Sequence, residues 1–242
     1  WQLQWCKCQE VVEKFMQQES LKNKTIKGVG WSAADAFLGQ GVTFFVGLVL
    51  ARLLSPDEYG LIGICLIFTT VLNGIVDSGF SNALIRKKEV TDEDYNTMFT
   101  TNMVMSTVLY VMLFASAPLV SDFFHREELT TLVRATGLVL FFNALSITQV
   151  TILTKRIDFK KKTRASIISA IVSGGIGVFM ACWGLGVWAL VGQLLSKQLL
   201  YSICLWILNR WWPNYKFSVE SFRYMWGFGW KLLVSGLLNN CP

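Results

Sequence analysis

The chain has 242 residues, of which 53% are hydrophobic and only 16% are charged. A soluble domain carries about 25% charged residues, which cover its apolar core, so this composition excludes an ordinary water-soluble enzyme. A disordered chain is excluded as well, because so apolar a sequence cannot stay solvated. The net charge of +6 would indicate nucleic-acid binding in a soluble protein, but the placement of the basic residues gives it another explanation.

Six apolar stretches are long enough to cross a membrane, and a seventh begins near the end of the chain. A helix needs about 20 predominantly apolar residues to span a bilayer core about 30 Å thick. The strands of a membrane barrel are half as long and alternate in polarity, whereas these stretches are apolar on all sides. The sequence therefore predicts an all-α fold, a polytopic transmembrane helical bundle with six spans plus a truncated seventh. The predicted spans are residues 29–53, 59–84, 97–123, 129–153, 165–183 and 187–208, with the seventh starting near residue 222.

These spans divide the chain into four predicted parts. Residues 1–28 form a cytoplasmic N-terminal segment, residues 29–208 the first six-helix bundle, residues 209–221 a cytoplasmic loop, and residues 222–242 the truncated start of a second bundle. The chain begins with Trp1 instead of Met and ends inside the seventh apolar stretch. We therefore expect it to be a fragment, with residues 1–15 as a candidate upstream extension.

Glycines mark a tight turn and candidate helix contacts. Residues 182–187, with the sequence Cys-Trp-Gly-Leu-Gly-Val, connect the fifth and sixth spans, which are therefore predicted to form an antiparallel hairpin. Within the spans, glycine lets two helix backbones approach closely in lipid. We expect such close packing at Gly39, Gly41, Gly47, Gly174, Gly175 and Gly177.

Basic residues are distributed unequally between the two sets of loops. Loops on the side of the N-terminus hold 17 Lys and Arg residues, whereas the loops on the other side hold only Arg52 and Arg126. Cytoplasmic loops carry such an excess of positive charge, so we predict a cytoplasmic N-terminus. The asymmetry explains the net charge without a nucleic-acid partner. The basic stretch 155–164 would also attract anionic membrane lipids.

Sequence signatures of catalysis, metal binding and nucleotide binding are absent. No G-x-S-x-G, H-E-x-x-H or P-loop pattern occurs, and the single histidine, His125, lies in a predicted loop. The six cysteines have no C-x-x-C spacing. We interpret the acidic run 92–94 as the solvated start of a helix. The sequence thus predicts no catalytic residues, no metal ligands and no cofactor.

Five ionisable residues lie within the predicted spans, where a charge costs about 2.5 to 3.5 kcal/mol on translocon scales. They are Asp35, Asp77, Arg134, Lys197 and Lys231. Such residues normally face a bundle interior or a watery cavity. Three cations on different helices would form a cleft for an anionic group such as phosphate. For Asp77 and Arg134, the alternative is a position near enough to the membrane surface to reach headgroup water.

Five short motifs lie in order along residues 20–240. The first is Leu-Ala-Arg-Leu-Leu-Ser-Pro-Asp-Glu-Tyr-Gly at residues 50–60, a span that ends in a short acidic turn. The others are DSGFSNALI at 77–85, KRIDF at 155–159, GVWALV at 186–191 and FGWKLL at 228–233. Each motif alone has low specificity. In this order and with this topology, the chain resembles the N-terminal half of the Wzx-type polysaccharide flippases of the MOP exporter superfamily.

The resemblance implies export of an oligosaccharide linked to polyprenyl diphosphate, from the cytoplasmic to the outer leaflet, for lipopolysaccharide, capsule or exopolysaccharide synthesis. It also implies a multi-pass transporter of the bacterial cytoplasmic membrane and not an enzyme, with two bundles of about six helices that work by alternating access. A diphosphate cannot cross about 30 Å of hydrocarbon unaided, so the passage must be hydrated and cationic. We expect Lys197 and Lys231, with Arg134, to supply this positive field, and Asp35 or Asp77 to pair with them or to couple a cation gradient.

Three other functions are open at this point. A multidrug exporter of the same superfamily would favour carboxylates in its cavity, and the excess of cations in the spans argues against it. A membrane glycosyltransferase or polymerase would need a catalytic acid or base and a large external loop, whereas the longest external loop is the short segment 122–128. The third is a scaffold that joins polysaccharide assembly enzymes, which nothing in the sequence excludes. The expected partners are thus lipid-linked oligosaccharide, membrane lipids and assembly enzymes.

Overall fold

The protein folds into helices. The computed structural model describes residues 30–239 except 32, 34, 77, 78 and 215, and it describes side chains only as far as residue 229. In this part of the chain, a π-helical turn at Asp35–Gly39 is followed by nine α-helices. They are α1 (Gln40–Leu53), α2 (Pro56–Val76), α3 (Phe80–Arg86), α4 (Asp92–Phe124), α5 (Glu128–Gly137), α6 (Val139–Lys155), α7 (Phe159–Cys182), α8 (Val187–Asn209) and α9 (Val219–Asn239).

Six helical segments of the described chain are long and apolar enough to cross a membrane, with 19 to 33 residues each. Large apolar side chains point outward from them, among them Phe37 (82% exposed), Phe123 (77%) and Leu119 (70%). So much exposed apolar surface is unfavourable in water but favourable in contact with lipid. The predicted all-α polytopic bundle is confirmed, and the chain is a multi-pass membrane protein. The six spans are Asp35–Leu53, Pro56–Arg86, Asp92–Phe124, Glu128–Lys155, Phe159–Cys182 and Val187–Asn209.

Two of these spans are interrupted where the sequence predicts continuous helices. The second span consists of α2 and α3, and Gly79 at the start of α3 has a φ of 76°, a conformation that favours glycine. Asp77, the candidate site residue just before it, lies outside the described residues. The fourth span consists of α5 and α6. Between them, the backbone N–H of Leu138 donates to the Ala135 carbonyl at 3.2 Å, a tighter turn than that of an α-helix.

The third span, α4, begins earlier than predicted because of a capping box at its first turn. The Thr91 side chain accepts a hydrogen bond from the Asp94 backbone N–H (3.4 Å), and the Thr91 N–H donates to Asp94 Oδ2 (2.9 Å). The Thr91 N–H would otherwise lack a partner among the described residues, and the Asp94 N–H also donates to the Thr91 carbonyl at 3.1 Å. The acidic run therefore starts a helix, as predicted. However, Asp94 is only 1% exposed, so the prediction that it is solvated is wrong.

The fifth and sixth spans, α7 and α8, form the predicted antiparallel hairpin. Gly184 and Gly186 in the connecting turn have φ values of 76° and 55°, which explains why both positions carry glycine. Farther along the hairpin, a Cβ added at Gly177 would lie 2.9 Å from Gln193 Cβ. Glycine therefore lets these two helices approach closely.

The other predicted glycine contacts are confirmed only in part. A Cβ at Gly174 would lie 2.6 Å from Val46 Cγ2, where α7 packs against α1. A Cβ at Gly39 would make ordinary contact, 3.4 Å from Ser166 Oγ. Among the described residues the prediction is wrong at three positions, where an added Cβ would have no neighbour within 4 Å: Gly41, Gly47 and Gly175.

The loops gather at two ends of the bundle. At one end, the backbone N–H of Asn214 donates to Asn96 Oδ1 (2.9 Å), and the N–H of Ser218 donates to Thr97 Oγ1 (3.0 Å). These bonds join the connection between α8 and α9 to the start of α4. We call this the basic end, because its loops carry most of the described Lys and Arg residues.

The second set of loops meets at the other end, which we call the opposite end. The turns after α1, α4 and α7 come together there. Asp57, Arg126 and Gly184 line one cavity, with a volume of about 480 Å³. Successive loops therefore alternate between the two ends, as expected for a chain that crosses a membrane repeatedly.

Candidate functional site

Two of the five predicted site residues, Asp35 and Lys197, line the same cavity within the bundle. The cavity has a volume of about 230 Å³ and lies where the π-helical turn and α1 meet α7 and α8. We call it the charged cavity. Its other lining residues are polar or small and include Gln40, Thr43, Ser166 and Ala170.

The backbone of the first span explains how Asp35 reaches this cavity. Asp35 lies in the π-helical turn, a rare conformation that is frequent at functional sites. Asp35, Gly39 and Thr43 are spaced four residues apart, which places them on one face of the helical segment. All three residues line the charged cavity.

The cation and the carboxylate of the charged cavity are held apart. Lys197 Nζ donates to Thr43 Oγ1 at 3.3 Å, and the Thr43 hydroxyl donates to the Gly39 carbonyl at 2.9 Å. Among the described residues, Asp35 Oδ1 is buried without a hydrogen-bond partner, and the ion pairs found there do not include Asp35 with Lys197. A buried polar oxygen without a partner is costly. The site therefore has unused capacity for a proton, a cation or a polar group beside Asp35.

Arg134 lies elsewhere, on α5, one to two turns from the opposite end. Its guanidinium carbon is 4.1 Å from the centroid of the Phe114 ring on α4, a cation–π contact. Within the described chain, Arg134 Nε is buried without a hydrogen-bond partner. The structure does not bring Arg134 into the charged cavity, so it is a separate candidate for anion binding.

The structure does not describe the side chains of the two remaining predicted site residues. Asp77 lies outside the described residues, and the side chain of Lys231, within α9, lies outside them too. Their roles stay predictions.

An uncharged polar network, which the sequence analysis missed, crosses the interior of the bundle. Asn143 on α6 donates through Nδ2 to Asn73 Oδ1 on α2, at 2.8 Å. Gln198 on α8 donates through Nε2 to Asn143 Oδ1 and to Ser146 Oγ, both at 3.3 Å. Asn and Gln within apolar spans were the available signal, but a search for ionisable residues does not include them.

This network borders a second cavity, also about 230 Å³ in volume, between α3, α6 and α8. We call it the neutral cavity, because no charged side chain lines it among the described residues. Its apolar walls include Ile147 and Val150. Its polar lining residues are Ser81, Asn143, Ser146, Thr151, Thr154 and Tyr201.

At the basic end, a partly buried ion pair joins the residue after α3 to the first turn of α4. Lys87 Nζ lies 2.8 Å from both carboxylate oxygens of Asp94. Lys155, at the end of α6, donates from Nζ to the carbonyl of Leu84 (2.9 Å) and to that of Lys87. The ends of α3, α4 and α6 are therefore tied together by side chains of the basic loops.

The seventh apolar helix, α9, packs on this cluster. The Lys87 ammonium lies 5.5 Å from the centroid of the Tyr224 ring, and the Arg86 guanidinium carbon lies 5.4 Å from that of Phe228. Ser221 in the first turn of α9 lies near the Asp94 carboxylate. We call Lys87, Asp94 and Lys155, with the contacts that Arg86 and Lys87 make with α9, the basic-end joint.

Metal ligands do not cluster in the part of the chain that the structure describes. No group of three or more His, Cys, Asp or Glu residues there could hold a metal ion. The described site is thus built from one ammonium, one carboxylate and uncharged polar groups.

Three curated relatives resemble nearly the whole chain. The succinoglycan biosynthesis transport protein ExoT of Rhizobium meliloti (strain 1021) is 26% identical over 89% of this chain and 44% of its own length. The teichuronic acid biosynthesis protein TuaB of Bacillus subtilis (strain 168) is 26% identical over 91% of this chain and 46% of its own. The lipopolysaccharide biosynthesis protein WzxC of Escherichia coli (strain K12) is 24% identical over 91% and 45%.

The chain spans about half the length of these relatives. No solved structure matches it at a significant level. A family model described as "Polysaccharide biosynthesis protein" matches residues 49–241, which is most of the chain, and confirms the resemblance to polysaccharide biosynthesis proteins. The chain therefore belongs to the polysaccharide biosynthesis protein family.

Proposed function

We propose that the protein exports saccharides linked to polyprenyl diphosphate across the bacterial cytoplasmic membrane, for lipopolysaccharide, capsule or exopolysaccharide synthesis. Its relatives support this proposal, since one is a biosynthesis transport protein and two are biosynthesis proteins for surface polysaccharides. The single observation that carries it is the charged cavity, where Lys197 and Asp35 share one space among apolar helices. In this proposal, residues 29–208 are the first bundle of an alternating-access transporter, and 222–242 begin the second.

A diphosphate needs a positive site within the membrane. Its negative charge cannot leave water without compensation, and Lys197 offers an ammonium at the middle of α8. The hydrogen bond to Thr43 holds that ammonium toward the cavity. The substrate diphosphate would bind Lys197 there, while the polyprenyl tail stays in the lipid.

Asp35 is the proposed coupling residue. With its carboxylate ionised, the Asp35 and Lys197 charges cancel, and an anion gains little by entering. When a proton or a cation neutralises the carboxylate, the cavity gains a net positive charge and attracts a diphosphate. Uptake of the coupling ion and of the substrate would then favour each other. Further candidates along the passage are Arg134 and Lys231 for binding the substrate and Asp77 for pairing with a cation or for coupling.

The function is tested by deleting the gene from its own host and restoring it with variants. Deletion should cause lipid-linked saccharide to accumulate in the inner leaflet and reduce surface polysaccharide. Restoration with Lys197→Gln should leave about one-tenth of wild-type export, because a charge-assisted hydrogen bond contributes roughly 1.5 to 3 kcal/mol. Export is measured as surface polysaccharide per unit of membrane-inserted protein.

Lys88→Gln is the matched control, since Lys88 is exposed at the basic end and should export normally. Wild-type export by Lys197→Gln at normal protein levels would reject the assigned role of Lys197. Normal export after deletion, or accumulation of a cationic drug instead of lipid-linked saccharide, would reject the proposed function.

We also propose that the basic end faces the cytoplasm. The excess of Lys and Arg there follows the positive-inside rule, and the structure supports the grouping of these loops at one end. Single cysteines introduced at Lys88 and Lys161 in a cysteine-free background should react with an impermeant thiol reagent only after the cells are opened. A cysteine at Arg126 should react in intact cells. Labelling of positions 88 and 161 from different sides would contradict this topology.

A further inference from the structure

The neutral cavity has the chemistry of a site for an uncharged polyhydroxylated ring. Hydroxyl or amide groups from six residues line it, together with apolar walls, and no charged side chain does so in the described chain. Specific small-molecule sites combine apolar walls with a few fixed polar groups in this way. A volume of about 230 Å³ is small for a ligand site, so it suits one sugar ring instead of a whole oligosaccharide.

The polar groups of this cavity are fixed in position but keep capacity for a ligand. The Ser146 and Thr151 hydroxyls donate to carbonyls of their own helix, both at 2.9 Å. A hydroxyl oxygen can accept two hydrogen bonds, so Ser146 Oγ, which accepts one from Gln198, can accept one more, and Thr151 Oγ1 can also accept. The Asn143 amide is fixed by Asn73 and Gln198. Sugar hydroxyls, which both donate and accept, match such a lining.

Two hydroxyls at the cavity make no hydrogen bond within the described residues, those of Thr154 and Tyr201. Both residues are partly exposed. These two groups can therefore bond to a ligand without breaking an existing contact.

The neutral cavity adjoins the charged cavity through α8. Lys197 lines the charged cavity and Tyr201 lines the neutral one. They are four residues apart, so they lie on the same face of the helix, about 5 to 6 Å from each other at Cβ. A diphosphate at Lys197 would hold the sugar bonded to it about one helical turn away.

We infer that the neutral cavity binds the sugar ring attached directly to the diphosphate, and that it selects an uncharged ring. This inference rests on the proposed function, in which Lys197 holds the diphosphate. A uronic acid ring would bring a carboxylate into a cavity without a cation, and burying an unpaired charge is unfavourable. The protein should therefore discriminate among substrates by the charge of their first sugar.

The test is binding by the full chain in lipid nanodiscs, with three probes: farnesyl diphosphate, farnesyl diphosphate-linked glucose and farnesyl diphosphate-linked glucuronate. The glucose probe should bind more tightly than the glucuronate probe by about tenfold or more. Tyr201→Phe and Thr154→Val, which remove one hydroxyl each with little change in shape, should weaken binding of the glucose probe about threefold to tenfold. Neither variant should change binding of farnesyl diphosphate.

Thr107→Val is the matched control, because Thr107 is exposed on α4 and its hydroxyl bonds only within its own helix. It should bind all probes like the wild type. Equal losses for the glucose probe and for farnesyl diphosphate in Tyr201→Phe and Thr154→Val, or no loss for either, would overturn this inference. If, in that case, Lys197→Gln still weakened binding of farnesyl diphosphate and of the glucose probe, the proposed function would stand. Absence of binding of every probe to the wild type would overturn both.

Discussion

Replacement of Gly174 by leucine should lower the free energy of unfolding by about 2 to 3 kcal/mol, since overpacking at a tight contact costs typically 1 to 3 kcal/mol. A Cβ at this position would lie 2.6 Å from Val46 Cγ2, and a leucine adds three further carbons in the same direction. Helices α1 and α7 would have to move apart. The loss is measured as a shift of the unfolding midpoint of the purified protein in detergent.

Gly175→Leu is a matched control one residue along the same helix. No described residue lies within 4 Å of a Cβ at Gly175, and the position is exposed on the outer surface. Leucine there should leave the unfolding midpoint unchanged or raise it slightly, because leucine has a higher helix propensity than glycine. Equal destabilisation by the two substitutions would contradict the close approach of α1 and α7.

Substitution of Asp94 by alanine should lower the free energy of unfolding by about 2 to 3 kcal/mol. The change removes a cap on the first turn of α4, which contributes about 1 kcal/mol, and a charge-assisted contact with Lys87, which contributes about 1.5 to 3 kcal/mol. Part of that contact is screened, because the Lys87 side chain is 31% exposed. Unfolding of the purified protein in detergent reports the total loss.

The same variant should loosen the start of α9. Asp94 holds Lys87 in an ion pair, and the Lys87 ammonium contacts the Tyr224 ring of α9, so loss of Asp94 should increase backbone hydrogen exchange at residues 219–229. Asp92→Ala is the control, since Asp92 is in the same first turn but exposed. It should cost about 0.3 to 1 kcal/mol through the helix dipole and leave exchange in α9 unchanged. Similar effects of the two substitutions would show that the basic-end joint does not stabilise α9.

The spans could be predicted from the sequence because bilayer thickness sets their length. The interruptions at Gly79 and Leu138 could not be predicted in this way. Hydropathy counts apolar side chains and does not register whether a backbone N–H donates to the carbonyl three or four residues back. The α7–α8 turn carried a clearer local signal, two glycines within three residues, and both have positive φ. The single glycine at Gly79 was not distinctive among the other glycines of the spans.

Side-chain burial was predicted less well than helix position. Gly174 and Gly175 are equivalent in the sequence, but neighbouring residues point about 100° apart around a helix, and only Gly174 faces α1. Asp94 lies within an acidic run that resembles a solvated helix start. Its carboxylate is covered by the side chain of Lys87, which directly follows α3 and lies 2.8 Å from it.

The candidate site was partly predictable for a similar reason. Asp35 and Lys197 could be identified because charge within an apolar span is rare, and the structure places them in one cavity. Their separation from Arg134 depends on how α5 packs, which the sequence does not show. The neutral cavity depends on Asn143 and its neighbours, whose polar groups carry no charge.

Through Lys155, the basic-end joint can couple a movement of α3 to a movement of α6. The Lys155 ammonium donates hydrogen bonds to two carbonyls at the end of α3, and α3 in turn contacts α9. The residue before Lys155, Thr154, lines the neutral cavity. A tilt of α9 that moves α3 would therefore either break these hydrogen bonds or move α6 together with α3. In the second case, a rocking motion that starts outside the six spans changes the shape of the space in which we place the first sugar.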